Sequence, residues 1–181
     1  MKKFWQWQPW NIRSKNNTSG ATLIELLVVC ALFLVIVSLS ITINRVFNGF
    51  AVNIELEHLY IACRYMQRYA MCTHQEQHLV INIPNRTYTY GNHIHTLASS
   101  VQFGFIPTIK GPPANPTDVI TRANTFANNI ITFYPSGIIS AGTIYVTDSS
   151  KTCCYALSNA VGTVSYVRRY VYRNKQWQHS V

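Results

Sequence analysis

Residues 21–43 read ATLIELLVVCALFLVIVSLSITI, an apolar run of 23 residues broken by one charge, Glu25. At about 1.5 Å of rise per residue such a helix is long enough to cross a hydrocarbon core about 30 Å thick. The twenty residues before it carry Lys2, Lys3, Arg13 and Lys15 and no acid. Positive charge of this kind stays on the cytoplasmic side, so the sequence predicts that the remainder of the chain is translocated. An ordinary secretory signal is cut after its apolar stretch. Here the small residue, Gly20, precedes it, and a cut at that point leaves the helix as the new N-terminus. A conventional cut after Ser38-Leu39-Ser40 and an uncut single-span anchor are the alternatives.

Glu25 bears on that choice. A carboxylate near the end of a membrane helix is costly and usually has a partner. Cutting after Gly20 creates an ammonium at Ala21, four residues away, and in a stack of such helices Glu25 of one subunit can pair with Ala21 of its neighbour. The simpler reading is a carboxylate lying at headgroup level. The stretch Ser19-Gly20-Ala21-Thr22-Leu23-Ile24-Glu25-Leu26-Leu27 resembles the type IV prepilin signal. The resemblance implies cleavage between Gly20 and Ala21 by an inner-membrane prepilin peptidase, N-methylation of Ala21, and a role for Glu25 in subunit docking. Two departures stand out: Ala21 replaces the common Phe, and Thr42 stands where the family usually has proline.

The chain's formal charge of +9 raises the question of nucleic acid. Without residues 1–20 the excess falls to +5, with eleven basic and six acidic residues. That is an ordinary solvated surface.

Beyond the apolar run, Val52, Leu56, Leu59, Ala62, Cys63, Met66, Ala70 and Met71 recur at spacings of mostly three and four, an amphipathic helical stripe. No proline interrupts residues 21–83, which predicts one helix to about Thr73 with a weak point near Asn48-Gly49. Only strand signals follow: Leu79–Ile83 and Thr87–Tyr90 as a hairpin about Pro84-Asn85-Arg86, then Val101–Ile106, Asn129–Tyr134, Thr143–Thr147, Cys154–Leu157 and Thr163–Tyr172. A proline-rich loop occupies Pro107 to Asp118. The predicted fold class is therefore α+β: a long N-terminal helix, transmembrane and then amphipathic, packed on an antiparallel β-sheet domain. The expected divisions are a leader 1–20, a membrane or filament-core helix 21–43, its amphipathic continuation 44–75 and a periplasmic β-rich domain 76–181.

The segments Ile131-Thr132-Phe133-Tyr134-Pro135-Ser136-Gly137, Ser140 to Val146, Tyr155-Ala156-Leu157 and Gly162-Thr163-Val164 resemble the closing strands of the GspH/FimT pseudopilins. That resemblance implies a pilin-like fold and a minor subunit of a type II secretion pseudopilus or type IV pilus. It implies an inner-membrane location with the C-terminal domain periplasmic before assembly. The partners it implies are other pilin and pseudopilin subunits, the peptidase, the inner-membrane assembly platform and membrane lipid.

Chemistry is sparse. No Gly-x-Ser-x-Gly, phosphate loop or paired carboxylate cluster occurs, and Asp118 and Asp148 are the only acids beyond residue 76. The sequence therefore predicts no enzyme and no cofactor. His74 and His78 read as a solvated helix end. His93 and His95 alternate as same-face strand residues without an evident third ligand, so no metal is expected. Cys30, inside the apolar run, reads as a small buried residue. In an oxidising compartment Cys63, Cys72, Cys153 and Cys154 can form a disulfide, with the pairing open. A second function is offered by Arg168, Arg169, Tyr170, Tyr172, Arg173, Lys175 and Trp177, where cations and aromatics interleave as in strands that bind DNA. Strand alternation divides these charges between two faces, and the alternative is an edge strand blunted by charge.

Overall fold

The computed structural model describes residues 22–111, 117–159 and 166–180, without the side chains of 39–48. The chain divides into two units, residues 1–40 and 41–181. Helix α1, Leu23–Thr73, contributes to both. In the first unit its large apolar side chains from Leu23 to Val37 are all exposed.

The second unit holds the core. From α1 it takes Val52, Leu56, Leu59, Ala62, Cys63, Met66 and Ala70, all buried, which is the predicted stripe except for Met71. Met71 stays half-exposed, and its sulfur lies over Gly137, where an added Cβ would stand 3.2 Å away. The strands are β1 Gln77–Asn82, β2 Thr87–Tyr90, β3 His93–Thr96, β4 Val101–Phe103, β5 Ile130–Phe133, β6 Gly142–Asp148, β7 Cys154–Asn159, β8 Arg168–Arg173 and β9 Gln176–His179. A 3-10 turn, Ala127–Asn129, precedes β5.

These strands form two antiparallel sheets, ordered β3-β2-β1-β5 and β4-β6-β7-β8-β9. In the first, Leu79, Ile81, Tyr88, Ile131 and Phe133 face inward and alternate with more exposed neighbours. The second is covered on both faces at its centre. Ile144, Val146, Tyr155 and Leu157 join the helix stripe in the main core. Tyr145, Cys154 and Ala156 form a smaller core with Ile109 and Ile120.

The predicted fold class is corrected on two counts. The α+β arrangement has two helices and two antiparallel sheets among the described residues, not one sheet under a membrane helix. Among the described residues no helix is long and apolar enough to cross a membrane.

The first sheet ends at β5, whose edge away from β1 is met by the returning segment through Phe133 and Ile139. After β5 the chain turns at Gly137 (φ 83°), and Asn159 Nδ2 donates to the Ile139 and Ser140 carbonyls at 2.7 and 3.0 Å. That pair of bonds ties the crossing segment to β7 and delivers β6 to the second sheet. Val101–Ile106 shortens to β4: the Gly104 N–H still donates to the Tyr145 carbonyl of β6 (3.0 Å), and beyond it Phe105 and Ile106 pack on the smaller core. The single closing strand becomes the hairpin β8–β9, turned by Asn174 and Lys175 at φ 51° and 62°, the dihedral signs of a type I′ turn. Predicted strand residues 163–165 lie outside the described residues.

Candidate functional site

Gly20 and Ala21, the predicted cleavage pair, lie outside the described residues. Just after them Thr22 and Glu25 form a reciprocal cap on α1. The Thr22 N–H donates to Glu25 Oε2 at 2.9 Å, and the Glu25 N–H donates to Thr22 Oγ1 at 3.4 Å. The Thr22 hydroxyl also reaches Oε2, at 3.3 Å. This is a capping box, which satisfies donors that a helix start leaves open and puts negative charge at the positive end of the helix dipole. Threonine followed three residues later by glutamate, ahead of an apolar run, is its sequence signature, and the sequence reading missed it. These bonds engage Oε2, and a carboxylate has acceptor capacity for a further donor.

Beyond the cap, Leu23, Ile24, Leu26, Leu27 and the apolar residues through Val37 are 41–79% exposed. Apolar surface on all sides of a helix, continuous over several turns, marks a segment that is covered by something else.

The C-terminal candidates separate as strand alternation requires. Arg169, facing the helix side with Val171, pairs with Glu57 and lies over the Tyr60 ring at 4.7 Å. Arg168 lies over Tyr166 at 4.5 Å. Tyr170, Tyr172 and Trp177 cover the smaller core, and Trp177 Nε1 donates to the Lys110 carbonyl at 2.9 Å. Arg173 and Lys175 are exposed at the hairpin end. The aromatic side chains that a nucleic-acid strand would stack on are thus partly buried against the fold.

The five cysteines are free thiols in the structure. Burial pushes the thiols of Cys63 and Cys154 up to about 12. Cys153 rises to about 12 through burial and then through the neighbouring Asp148 charge. Such thiols are poor nucleophiles and poor metal ligands at neutral pH. Cys30 and Cys72 are exposed. His78 sits 3.7 Å from Glu76, and the two are about half-exposed.

No family model, curated protein or solved structure matches the chain.

Two polar groupings of the second unit escaped sequence reasoning because their members are far apart in the chain or look ordinary. Asp148, fully buried at the end of β6, accepts from the Thr152 and Cys153 N–H groups at 2.7 and 3.0 Å and from the Thr152 hydroxyl at 2.9 Å. Burial alone would raise its pKa, but these bonds outweigh it and hold the carboxyl below its ordinary value. Glu55, on the apolar stripe of α1, is buried against His95 of β3. No spacing rule links residues forty apart; the one local signal was an acid inside an otherwise buried helical stripe.

Proposed function

We propose that the chain is a minor pilin-like subunit, trimmed after Gly20 by a prepilin peptidase and assembled into a filament through the first turns of α1. The observation that carries this reading is the exposed apolar surface from Leu23 to Val37, headed by a single carboxylate. Helices of this kind bury their surface against copies of themselves. A carboxylate at the head of each selects the stagger at which it meets a neighbour's terminal ammonium. The resemblance of residues 19–27 to the prepilin signal supports the same reading. The chain's role would be assembly and protein secretion rather than catalysis. The nucleic-acid alternative has no observation in its favour beyond exposed Arg168, Arg173 and Lys175.

Glu25 caps its own helix, so the test must separate capping from docking. Glu25→Gln keeps a residue competent for the capping box but removes the charge. Thr22→Ala removes the cap, at about 1 kcal/mol, and leaves the charge. We expect Glu25→Gln to lower recovery in sheared filaments from the native host at least about tenfold, a loss of about 1.4 kcal/mol in assembly. Thr22→Ala should assemble near normally. Equal loss in both variants would reduce Glu25 to a cap. A native protein whose N-terminal sequencing begins at Met1 rather than Ala21 would remove the filament reading altogether.

A further inference from the structure

Three side chains of the second unit converge on one point between α1 and the outer strand of the first sheet. Glu55 and His58 stand one helical turn apart on α1, and His95 reaches them from β3. Glu55 Oε2 is 2.8 Å from His95 Nε2 and 3.9 Å from His58 Nδ1. One ligand atom from each residue lies within 4.8 Å of the other two. The other carboxylate oxygen, Oε1, accepts the Ala98 N–H at 3.1 Å. That bond fixes the carboxylate from behind while Oε2 faces the imidazoles.

The setting is a built one. The Glu55 side chain is 10% exposed, and a buried carboxylate needs a compensating charge or donors. His95 is held by ring contact with Tyr88, centroids 4.9 Å apart, and His58 meets it edge-on at 5.4 Å. A cavity of about 500 Å³ opens beside them, lined by His58, Tyr65, Tyr88, Tyr90, His93 and His95 among others.

We propose that Glu55, His58 and His95 form a binding site for a divalent transition metal of the zinc class, with a fourth position facing this cavity. Tetrahedral bonds of about 2.0–2.1 Å separate neighbouring ligand atoms by about 3.4 Å, which falls within the observed spread. His58, half-exposed, has room to close the remaining gap. Two imidazoles and one carboxylate suit zinc, cobalt, nickel or copper; calcium and magnesium require oxygen ligands. The Ala98 N–H supplies the outer hydrogen bond that orients a ligating carboxylate. His93 lines the same cavity and lies two residues from His95 on the same face of β3. The sequence expectation of no metal rested on the lack of a third ligand beside His93 and His95. The helix supplies two, Glu55 and His58, to His95.

The full chain, stripped with a chelator, is titrated with Zn²⁺ against a chromophoric competitor and, separately, with Co²⁺ followed by visible absorption. We expect one equivalent bound with a dissociation constant below about 1 μM. His58→Ala, His95→Ala and Glu55→Gln should each weaken binding at least about tenfold, while His74→Ala/His78→Ala should leave it unchanged. His58→Ala carries the test should His95→Ala unfold, because His58 is half-exposed and the Gln at 55 can still accept the Ala98 N–H. Absence of saturable binding at about 100 μM Zn²⁺ would overturn the proposal. So would binding that survives in His58→Ala/His95→Ala, or a cobalt–thiolate charge-transfer band pointing to Cys72 or Cys30.

Discussion

At the scale of single residues, polar groups here act by satisfying backbone. Glu25 caps the start of α1, and Asp148 gathers the β6–β7 turn. The carboxyl of Asp148 is held below its ordinary value, so the unfolded chain takes up the proton first as the pH falls. Its stabilisation is therefore complete above about pH 4, the ordinary aspartate range, and is lost progressively as the pH drops from there through the folded value. Asp148→Asn should cost about 1–3 kcal/mol at pH 7, since charge-assisted bonds from two N–H groups and a hydroxyl are weakened. Urea midpoints between pH 3 and pH 7 should then fall more steeply in the parent chain than in the variant. Parallel profiles would show that the carboxylate is not what stabilises the turn.

At the scale of elements, β6 is joined closely to the segment before the 3-10 turn. The Thr125 N–H donates to the Thr143 carbonyl (2.9 Å), and the Thr143 N–H donates back to Thr125 Oγ1 (2.7 Å). This brings the buried Phe126 ring against Gly142, where an added Cβ would stand 2.5 Å from ring carbons. Phe126 has only 4% exposure and little freedom to move. Gly142→Ala should lower the urea midpoint by the equivalent of about 1–3 kcal/mol through overpacking. An unchanged midpoint would mean that the ring swings aside. The glycine is required here by close approach to a ring sixteen residues earlier in the chain, so no local pattern marks it.

At the scale of the whole molecule, the two units differ in what stabilises them. Residues 41–181 contain both hydrophobic clusters, with Val52 of α1 the first core residue in chain order. The described side chains of residues 22–38 bury nothing of their own. A chain reduced to residues 41–181 should therefore keep a cooperative urea transition and sediment as a monomer. The longer chain should associate in a concentration-dependent way without detergent. If the shortened form lost its transition, the core would depend on the segment removed; if it still self-associated, the apolar surface from Leu23 to Val37 would not be the assembly face.

Much of this was legible in local pattern. Period 3.6 marked seven of the residues that α1 buries, β-prone runs marked β1 and β5, and Pro84-Asn85-Arg86 marked the first hairpin, whose Arg86 takes φ 54°. These signals are readable because a helix or strand repeats its own geometry every few residues. β9 was not legible and β3 only through the alternation of His93 and His95: His93–Thr96 and Gln176–His179 are short, mostly exposed and held by register with β2 and β8. The division into two sheets, the occupation of Tyr170, Tyr172 and Trp177 by the smaller core, and the meeting of Glu55 with His95 were decided only in three dimensions. Each depends on which distant segment wins a given edge or face. That competition is settled by the free energy of the assembled fold, which no window of neighbouring residues contains.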